Sequence, residues 1–531
     1  MTVLPVIARE LRSSARQPFT YYVRVLGMGV LLAMSVLFGL QRGFEPQFGR
    51  ELFAALHAAL FGAIWLLVPM LTADCISRER REGTLGLLFL TPLSGGDIVV
   101  AKGLAHGLRA VTLGLSVLPV LTIPFLLGGV SWAEAALAVL MNANAMCWAL
   151  AAGLLASAYS KAWLQALALA AVLAGAFFFA LATGSGLILM EIVRSARGFA
   201  NYEITWEQVL TVGFVLLTNA GGHWSELARW GSAPKLFWGV GLTSLLSLLI
   251  LLTVVVAAGA KTRRSWQEEP PSRRQLWWRQ TFCTPVLWLS FFRFWMRRKL
   301  ERNPIGWLEQ RTWSGRLVTW GWFAVLISIY SMVLTDRSFF DNSARLHATM
   351  AFLLAGSMAM SASASFRRER ETGVLELLLV SPLGEREIIS GRLGSLWSQF
   401  APAVGLLLAV WTYCSTFLSD RGDAGTFFFF LVTFLTMPVF GLYFSLRCRN
   451  FLAAFLATVG AALVVPLVSP EALRAAWWWL NYARMGVQFS WEIRPSVWAA
   501  LFQAVLAMAC WERLFHRLKK RAFPLERTQV Y

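Results

Sequence analysis

The sequence has little charge for its length. Only 15% of its 531 residues are Asp, Glu, Lys or Arg, whereas soluble domains have roughly 25%. Hydrophobic residues make up 57%, and the mean hydropathy is +0.58. A helix of about 20 mostly apolar residues is long enough to cross a bilayer. The composition therefore excludes an ordinary soluble enzyme and predicts an all-α polytopic membrane protein.

Motifs for catalysis, metal binding and nucleotide binding are also missing. The six cysteines are scattered without paired spacing, which indicates neither a disulfide framework nor a zinc site. No lysine follows a glycine, so the phosphate-binding P-loop is absent. His-Glu-x-x-His is absent too, and no polar stretch is long enough for a nucleotide-binding domain. We predict no catalytic, cofactor or metal site in this chain.

What the sequence does have is a series of long apolar runs. Six candidate spans occur in each half of the chain, about twelve in all. They lie at about 19–40, 51–73, 97–127, 132–158, 162–190 and 236–259, and at about 317–335, 344–365, 387–418, 424–446, 451–469 and 496–515.

A segment after the second span is repeated 290 residues later without a gap. We call residues 78–93 and 368–383 the repeated segments. Five of the positions at which they are identical in one register are Arg78/Arg368, Glu79/Glu369, Arg80/Arg370, Gly83/Gly373 and Pro92/Pro382. A self-match at fixed spacing indicates one structural unit used twice. We predict a first six-span unit at 1–260, a basic linker at 261–300 and a second six-span unit at 301–531.

The distribution of basic residues predicts how the chain is oriented. Most of the 48 Lys and Arg residues fall on one side if the N-terminus is cytoplasmic, as the positive-inside rule requires. Both termini are then cytoplasmic, and the halves are parallel repeats. The net charge of +19 needs no nucleic acid, because anionic inner-leaflet lipid attracts the same charge. Segments 3–17 and 303–316 are predicted as amphipathic helices on this face.

Each repeated segment is typical of a short amphipathic helix along the cytoplasmic surface. Its Arg/Glu end lies in water and its leucines face lipid or neighbouring helices. Pro92 and Pro382 end it, because proline lacks the N–H that a continuing helix needs. The alternative is a plain positively charged loop, but such a loop does not require Glu, Gly and Pro in one register twice.

The pattern Arg-Glu-Arg-x-x-Gly-[Thr/Val]-Leu-x-Leu-Leu-x-x-[Thr/Ser]-Pro-Leu resembles the segment between the second and third spans of type-2 ATP-binding-cassette (ABC) transporter permeases. In that family this segment is a coupling helix that docks on the ATP-binding subunit. The resemblance implies that ATPase contacts come from the charged residues and glycines of both copies. These are Arg78, Glu79, Arg80, Gly83, Arg368, Glu369, Arg370 and Gly373.

The resemblance also implies partners and a location. ATP and Mg²⁺ are expected on a separate cytoplasmic ABC ATPase, and the chain is expected in a bacterial inner membrane as an exporter. One departure concerns the acidic residue before the Leu pair, which is Glu376 in the second copy but Gly86 in the first. The two couplings are therefore expected to be unequal. Two alternatives stay open: a twelve-span secondary transporter, and a non-transporting ABC-like membrane scaffold.

Several polar residues lie within the predicted spans, and we interpret them as structural rather than functional. Lys102, Arg109 and Arg392 are predicted to extend toward the cytoplasmic headgroups, as long basic side chains do near helix ends. His57 has no second histidine or carboxylate four residues on, which favours a hydrogen-bonded bundle residue over a metal ligand. Between Glu191 and Lys235, the apolar run 209–217 is too short to span. It is predicted to be re-entrant or interfacial.

Overall fold

The chain folds into helices in every part that the structure describes. The computed structural model describes residues 4–15, 18–42, 47–161, 163–197, 205–218, 233–265, 304–311, 313–335, 343–371, 374–417, 424–448, 450–484 and 494–521, with isolated positions between 273 and 301. These residues contain no strand, which confirms the all-α class. Residue contacts divide the chain into two compact units, Met1–Pro270 and Pro271–Tyr531. Most of the predicted linker and Gly373 lie outside the described residues.

Unit 1 contains long helices with short ones between them. Its described helices are α1 (Leu4–Ala15), α2 (Pro18–Arg42), α3 (Phe48–Thr72), α4 (Ser77–Arg81), α5 (Thr84–Phe89), α6 (Gly95–Leu115), α7 (Leu118–Leu121), α8 (Ile123–Leu127), α9 (Trp132–Tyr159), α10 (Trp163–Arg197), α11 (Trp206–Thr218) and α12 (Ala233–Ser265).

Unit 2 has the same order of long and short helices over most of its length. Its described helices are α13 (Pro304–Arg311), α14 (Trp313–Thr335), α15 (Ser343–Ala364), α16 (Arg367–Glu371), α17 (Val374–Val380), α18 (Glu385–Phe417), α19 (Ala424–Arg447), α20 (Phe451–Val459), a π-helix (Gly460–Val464), α21 (Val465–Arg484) and α22 (Pro495–Lys519).

Eleven helices of the described chain are long and apolar enough to cross a membrane, so this is a multi-pass membrane protein. The sequence predicted about twelve. The difference lies at 317–335, where the apolar stretch of α14 is only Val318–Ser331. In unit 1 the predicted re-entrant run forms α11, whose apolar part, Gln208–Thr218, is likewise shorter than a span.

Helix starts and ends follow local chemistry. Ser94 and Asp97 form a capping box at the start of α6, and Ser131 and Glu134 form one at the start of α9. Each box satisfies backbone N–H groups that the first helical turn leaves free. Such caps fix where a span begins after a turn.

Close helix crossings hold each unit together at corresponding positions. In unit 1, Gly153 of α9 lies against Thr72 of α3, leaving no room for a Cβ atom. In unit 2, Gly441 of α19 lies against Ala362 of α15 in the same way. Small residues let helix backbones approach closely where lipid supplies no hydrophobic drive. Thr72 and Ala362 are 290 residues apart, which is the spacing of the repeated segments, whereas the two glycines are 288 residues apart.

The Gly153 crossing makes a prediction about stability. In Gly153→Val the new side chain overlaps Thr72 and Pro69 of α3, and such overpacking costs about 1–3 kcal/mol or more. We expect a lower melting temperature and less monodisperse protein in detergent, measured by fluorescence-detected size-exclusion chromatography. The matched control is Gly175→Ala on α10, where a Cβ meets no atom within 4 Å. Equal melting temperatures for the two variants would contradict the close crossing.

Candidate functional site

Each repeated segment begins in the first of two short helices. The sequence had predicted a single helix. In unit 1, Gly83 separates α4 from α5 and has φ +71°. This left-handed conformation is one that glycine adopts without strain, and it turns the chain between the two helices. In unit 2, α16 ends at Glu371 and α17 begins at Val374, and residues 372–373 lie outside the described residues. The one-helix prediction is therefore wrong at Gly83. Pro92 and Pro382 lie beyond the last residues of α5 and α17.

In unit 1, the acidic residue of the repeated segment is ion-paired inside the protein. Glu79 Oε1 lies 2.8 Å from Lys102 Nζ of α6, and the same ammonium lies 2.9 Å from Glu10 Oε1 of α1. Arg9 Nη2 is 3.7 Å from Glu79, and the Thr84 hydroxyl donates to Glu79 Oε2. The Lys102 side chain is only 4% exposed. Three elements, α1, α4 and α6, are thus joined at one buried ammonium group.

The pKa of Glu10 reflects this arrangement. Burial on its own would raise the pKa of the carboxyl group, but the charge and hydrogen bond of Lys102 outweigh burial and lower it below its usual range. A nearby positive charge favours the carboxylate form. Glu10 therefore stays ionised as the counter-charge of Lys102 at neutral pH.

Unit 2 contains the corresponding ion pair with arginine in place of lysine. Arg392 Nη2 lies 3.0 Å from Glu369 Oε1. Arg392 Nη1 donates to the Ser365 carbonyl at 2.7 Å and to its hydroxyl at 2.8 Å, and the guanidinium lies 4.1 Å from the centre of the Phe366 ring. Lys102 and Arg392 were predicted to extend to the headgroups. That prediction is wrong, because carboxylates and carbonyls retain both side chains inside the protein.

The arginine after each glutamate binds the end of the fourth long helix of its unit. Arg80 Nη2 donates to the Ala158 carbonyl at 3.1 Å, in the last turn of α9. Arg370 Nη1 donates to the Ser445 carbonyl at 3.0 Å and the Cys448 carbonyl at 2.9 Å, at the end of α19. The last carbonyls of a helix lack intrahelical partners and carry partial negative charge. A cation there therefore ties the repeated segment to a span.

Ser157 adds a further connection between α4 and α9 in unit 1. Its hydroxyl on α9 accepts hydrogen bonds from the backbone N–H groups of Ile76 at 2.8 Å and Ser77 at 3.1 Å. These groups lie at the start of α4, so a side chain from another helix caps it. Arg81 pairs with Asp74 at 2.8 Å across the same turn. The start of α4 is consequently fixed to α9.

The opposite face of the repeated segments is exposed. Arg78 and Glu82 pair with each other at 2.7 Å, with side chains 63% and 50% exposed. Leu87 on α5 is 64% exposed, and Leu377 at the matching position of α17 is 71% exposed. A mixed surface of charge and apolar side chains on a fixed support is suited to a protein contact.

The eight residues predicted to contact an ATPase divide between the two faces. Glu79, Arg80, Glu369 and Arg370 make the internal contacts described above, Arg78 lies on the exposed face, and Gly83 is exposed at the bend. The side chain of Arg368 and all of Gly373 lie outside the described residues. Contact of any of the eight with an ATPase stays a prediction.

The sequence analysis did not recognise that two histidines recur at the spacing of the repeated segments. His57 of α3 and His347 of α15 are 290 residues apart, within Leu56-His57-Ala58 and Leu346-His347-Ala348. Both are buried, 2% and 1% exposed. The identical tripeptide in the register of the repeated segments was the available signal.

The two histidines have different neighbours. His57 Nε2 lies 3.0 Å from the Leu217 carbonyl of α11, and its Nδ1 lies 3.1 Å from Asn142 Nδ2 of α9. His347 Nδ1 lies 2.9 Å from the Tyr330 hydroxyl of α14. In the described parts of the chain, no three His, Cys, Asp or Glu residues group as metal ligands do. The histidines therefore fasten helices within the bundle.

Comparison with known proteins finds a partial relative. The chain is 32% identical over 133 residues to the probable multidrug ABC transporter permease YbhR of Escherichia coli K12, and equally to that of Escherichia coli O157:H7. The match covers 23% of this chain and 35% of each relative. This chain therefore spans only about a third of the length of the curated relatives it matches. No family model matches the chain.

The buried ion pair leads to a prediction at Lys102. In Lys102→Met, Glu10 and Glu79 lose their shared cation, and removing one member of a buried pair costs about 3 kcal/mol. We expect a clear drop in melting temperature, partly restored in Lys102→Met/Glu79→Gln because one uncompensated carboxylate is gone. The control, Arg78→Ala, breaks an exposed pair and should cost less than about 1 kcal/mol. A Lys102→Met protein as stable as this control would show that the ion pair does not support the fold.

Proposed function

We propose that this chain is the membrane-spanning permease of an ATP-driven ABC transporter, energised by a separate cytoplasmic ATPase. The observation that carries the proposal is the repeated segment, which is fastened in the same way in both units. A glutamate pairs with a base on the following span, and the next arginine binds the end of the fourth long helix. The partial match to an ABC permease supports the same assignment.

This arrangement suits the transfer of motion. A force applied to α4 in unit 1 acts on α6 through Lys102, on α9 through Arg80 and Ser157, and on α1 through Glu10. Rigid ties of this kind let a small displacement move whole helices. We propose that nucleotide-driven closure of the ATPase moves both repeated segments and thereby switches access between the two sides of the membrane.

The exposed face is the part proposed to contact the ATPase. It consists of Arg78, Glu82 and Leu87 in unit 1 and Leu377 and Val380 in unit 2. Glu79 and Glu369 are assigned a positioning role beneath this face, because their carboxylates are already paired within the chain. ATP and Mg²⁺ would bind to the partner, whose hydrolysis supplies the energy.

Export is the proposed direction. The resemblance to exporters supports it, and the name of the relatives, a probable multidrug transporter permease, makes a lipophilic drug the first cargo to test. The exposed apolar surface of the long helices is consistent with a cargo that enters from the lipid phase. The bacterial inner membrane, with both termini cytoplasmic, is the proposed location.

The experiment tests the exposed face directly. Tagged chain is purified in mild detergent, and bound proteins are identified by mass spectrometry. We expect a P-loop ATPase at stoichiometric amounts, whose ATP hydrolysis in liposomes is stimulated by cargo. Leu87→Glu/Leu377→Glu should lose the ATPase but keep its melting temperature, because both side chains are exposed and make no core contact.

Arg264→Glu is the matched control. Arg264 is an exposed charge in the last turn of α12, outside the repeated segments, and its reversal should leave the ATPase bound. The permease assignment is wrong if the wild-type chain is purified without an ATPase and an ion gradient alone drives solute transport in liposomes. The chain is then assigned as a secondary transporter.

A further inference from the structure

The short helix α11 of unit 1 is attached to α3 at its last turn. His57 Nε2 of α3 lies 3.0 Å from the Leu217 carbonyl oxygen, one residue before α11 ends. The last four carbonyl groups of a helix have no partner within it and carry partial negative charge. Leu216 and Leu217 are 2% and 0% exposed, so His57 supplies a partner to a helix end that is buried.

The second ring nitrogen of His57 fixes the direction of this hydrogen bond. The amide nitrogen of Asn142 on α9 lies 3.1 Å from His57 Nδ1. An amide nitrogen can only donate, so Nδ1 accepts and the proton of the neutral ring is on Nε2. The same amide nitrogen donates to the Ala138 carbonyl at 2.9 Å, which holds the Asn142 side chain in this orientation. His57 Nε2 is consequently the donor to Leu217.

Aromatic side chains one turn away in each direction restrict the His57 ring. The Phe53 ring is stacked on it, with centroids 6.4 Å apart and planes 12° apart, and the Phe61 centroid lies at 6.1 Å. Apolar contacts between α3 and α11 are non-directional, whereas a hydrogen bond from a restricted ring has one direction. The His57 bond therefore sets the position of α11 along α3.

Helix α11 is also packed closely on α10. Gly186 of α10 lies against the Val209 carbonyl, and Gly213 of α11 lies against the Ala182 carbonyl, in both cases without room for a Cβ atom. Small residues allow helix backbones to approach this closely. We call α10 and α11 together the α10–α11 pair. Because their backbones are in contact, a movement of α11 also moves α10.

The other end of α3 leads to the repeated segment of unit 1. Helix α3 ends at Thr72, and α4 begins at Ser77. The turn between them is hydrogen-bonded, since the Cys75 N–H donates to the Thr72 carbonyl at 3.1 Å. From His57 to Thr72, α3 is about 22 Å long at the usual rise of an α-helix. Helix α3 thus reaches from the turn before the repeated segment to the end of α11.

We propose that His57 is a positioning residue through which α3 transmits displacement of the repeated segment to the α10–α11 pair. When the end of α3 next to α4 is moved, the helix tilts and His57 moves with it. The bond to Leu217 then carries α11, and α11 carries α10. The inference rests on the proposed function for the source of the displacement, whereas the attachment itself needs no ATPase.

The proposed route belongs to unit 1. At the spacing of 290 residues, His57 corresponds to His347 of α15. His347 Nδ1 lies 2.9 Å from the Tyr330 hydroxyl of α14, which is a long helix at the start of unit 2. The same histidine position therefore contacts a different element in each unit, and His347 provides a matched control.

Spin-label distances in the full chain test the attachment. Gly62 of α3 and Thr211 of α11, both exposed, are replaced by a keto-bearing amino acid that carries the label, and the chain is placed in lipid nanodiscs. With His57 present we expect a narrow distance distribution. His57→Leu should lose the narrow distribution, because leucine has no donor for the Leu217 carbonyl. His57→Gln should restore it, since the glutamine amide nitrogen can occupy the position of Nε2.

Two controls separate loss of the attachment from general destabilisation. His347→Leu removes a buried histidine of unit 2 and should leave the Gly62–Thr211 distribution narrow. Labels at Gly175 of α10 and at Thr211 should stay at a fixed distance in His57→Leu, because the α10–α11 pair remains packed. A narrow Gly62–Thr211 distribution in His57→Leu overturns the proposal.

Nitrogen NMR provides a test that needs no disruptive variant. The chain is labelled with ¹⁵N-histidine, and the signals of His57 are those that disappear in His57→Gln. We expect a protonated Nε2 and an unprotonated Nδ1. A proton on Nδ1 alone would overturn the attachment, because Nε2 could not then donate to Leu217. This test decides the result if His57→Leu aggregates.

Transport measurements test the transmission. In liposomes with the bound ATPase, His57→Leu should still hydrolyse ATP but move several times less ethidium per ATP, and His57→Gln should restore the ratio. An unchanged ratio in His57→Leu overturns the transmission. If the wild-type chain binds no ATPase, the proposed function is wrong, and with it the source of the displacement. The spin-label distances still show whether His57 attaches α11.

Discussion

The buried ion pair between the repeated segment and the following span is the constraint on which the rest of the structure depends. Charge is costly within a membrane protein unless it is paired. Glu79 is therefore ion-paired with Lys102, and Glu369 with Arg392. Each pair fixes where a short helix lies relative to a long one. The surrounding ties, from arginine to helix-end carbonyls, then determine which face of the short helices remains exposed.

Part of the fold and of the candidate site could be predicted from the sequence. Helix class and multi-pass character follow from apolar runs of sufficient length, and residues 209–217 were recognised as too short to span. The pairing of Glu79 with Lys102 was not predicted, although a glutamate and a basic residue occur at the same spacing in Glu369 and Arg392. Co-occurrence at fixed spacing signals that two side chains belong together, but it does not give the distance between them.

The split into two short helices was missed for a local reason. Sequence periodicity across residues 78–91 fits one amphipathic helix, and glycine within such a pattern is tolerated at modest cost. Only the backbone angle of Gly83 shows that the chain turns there. Likewise, a lone buried histidine looks unremarkable until Leu346-His347-Ala348 is set beside Leu56-His57-Ala58. The repeat carries information that neither half contains by itself.

The two units share the glutamate–base pair and the arginine contact with a helix end, but the base has different further partners in each unit. Lys102 has two carboxylate partners from different helices, whereas Arg392 also binds the Ser365 carbonyl and hydroxyl and covers the Phe366 ring. Arginine provides directional pairs of donors, while lysine acts as a compact point charge. The contact in unit 1 therefore tolerates reorientation of its partners better than the contact in unit 2.

A second difference lies within the spans. In unit 2, Gln503 of α22 is fully buried and donates to the Ala462 carbonyl at 2.8 Å, inside the π-helix that interrupts the fifth long helix. A π-helical turn leaves backbone groups out of register, and such turns are common at functional positions. In unit 1, α10 runs unbroken from Trp163 to Arg197. The corresponding long helix is therefore continuous in unit 1 and interrupted by a π-helix in unit 2.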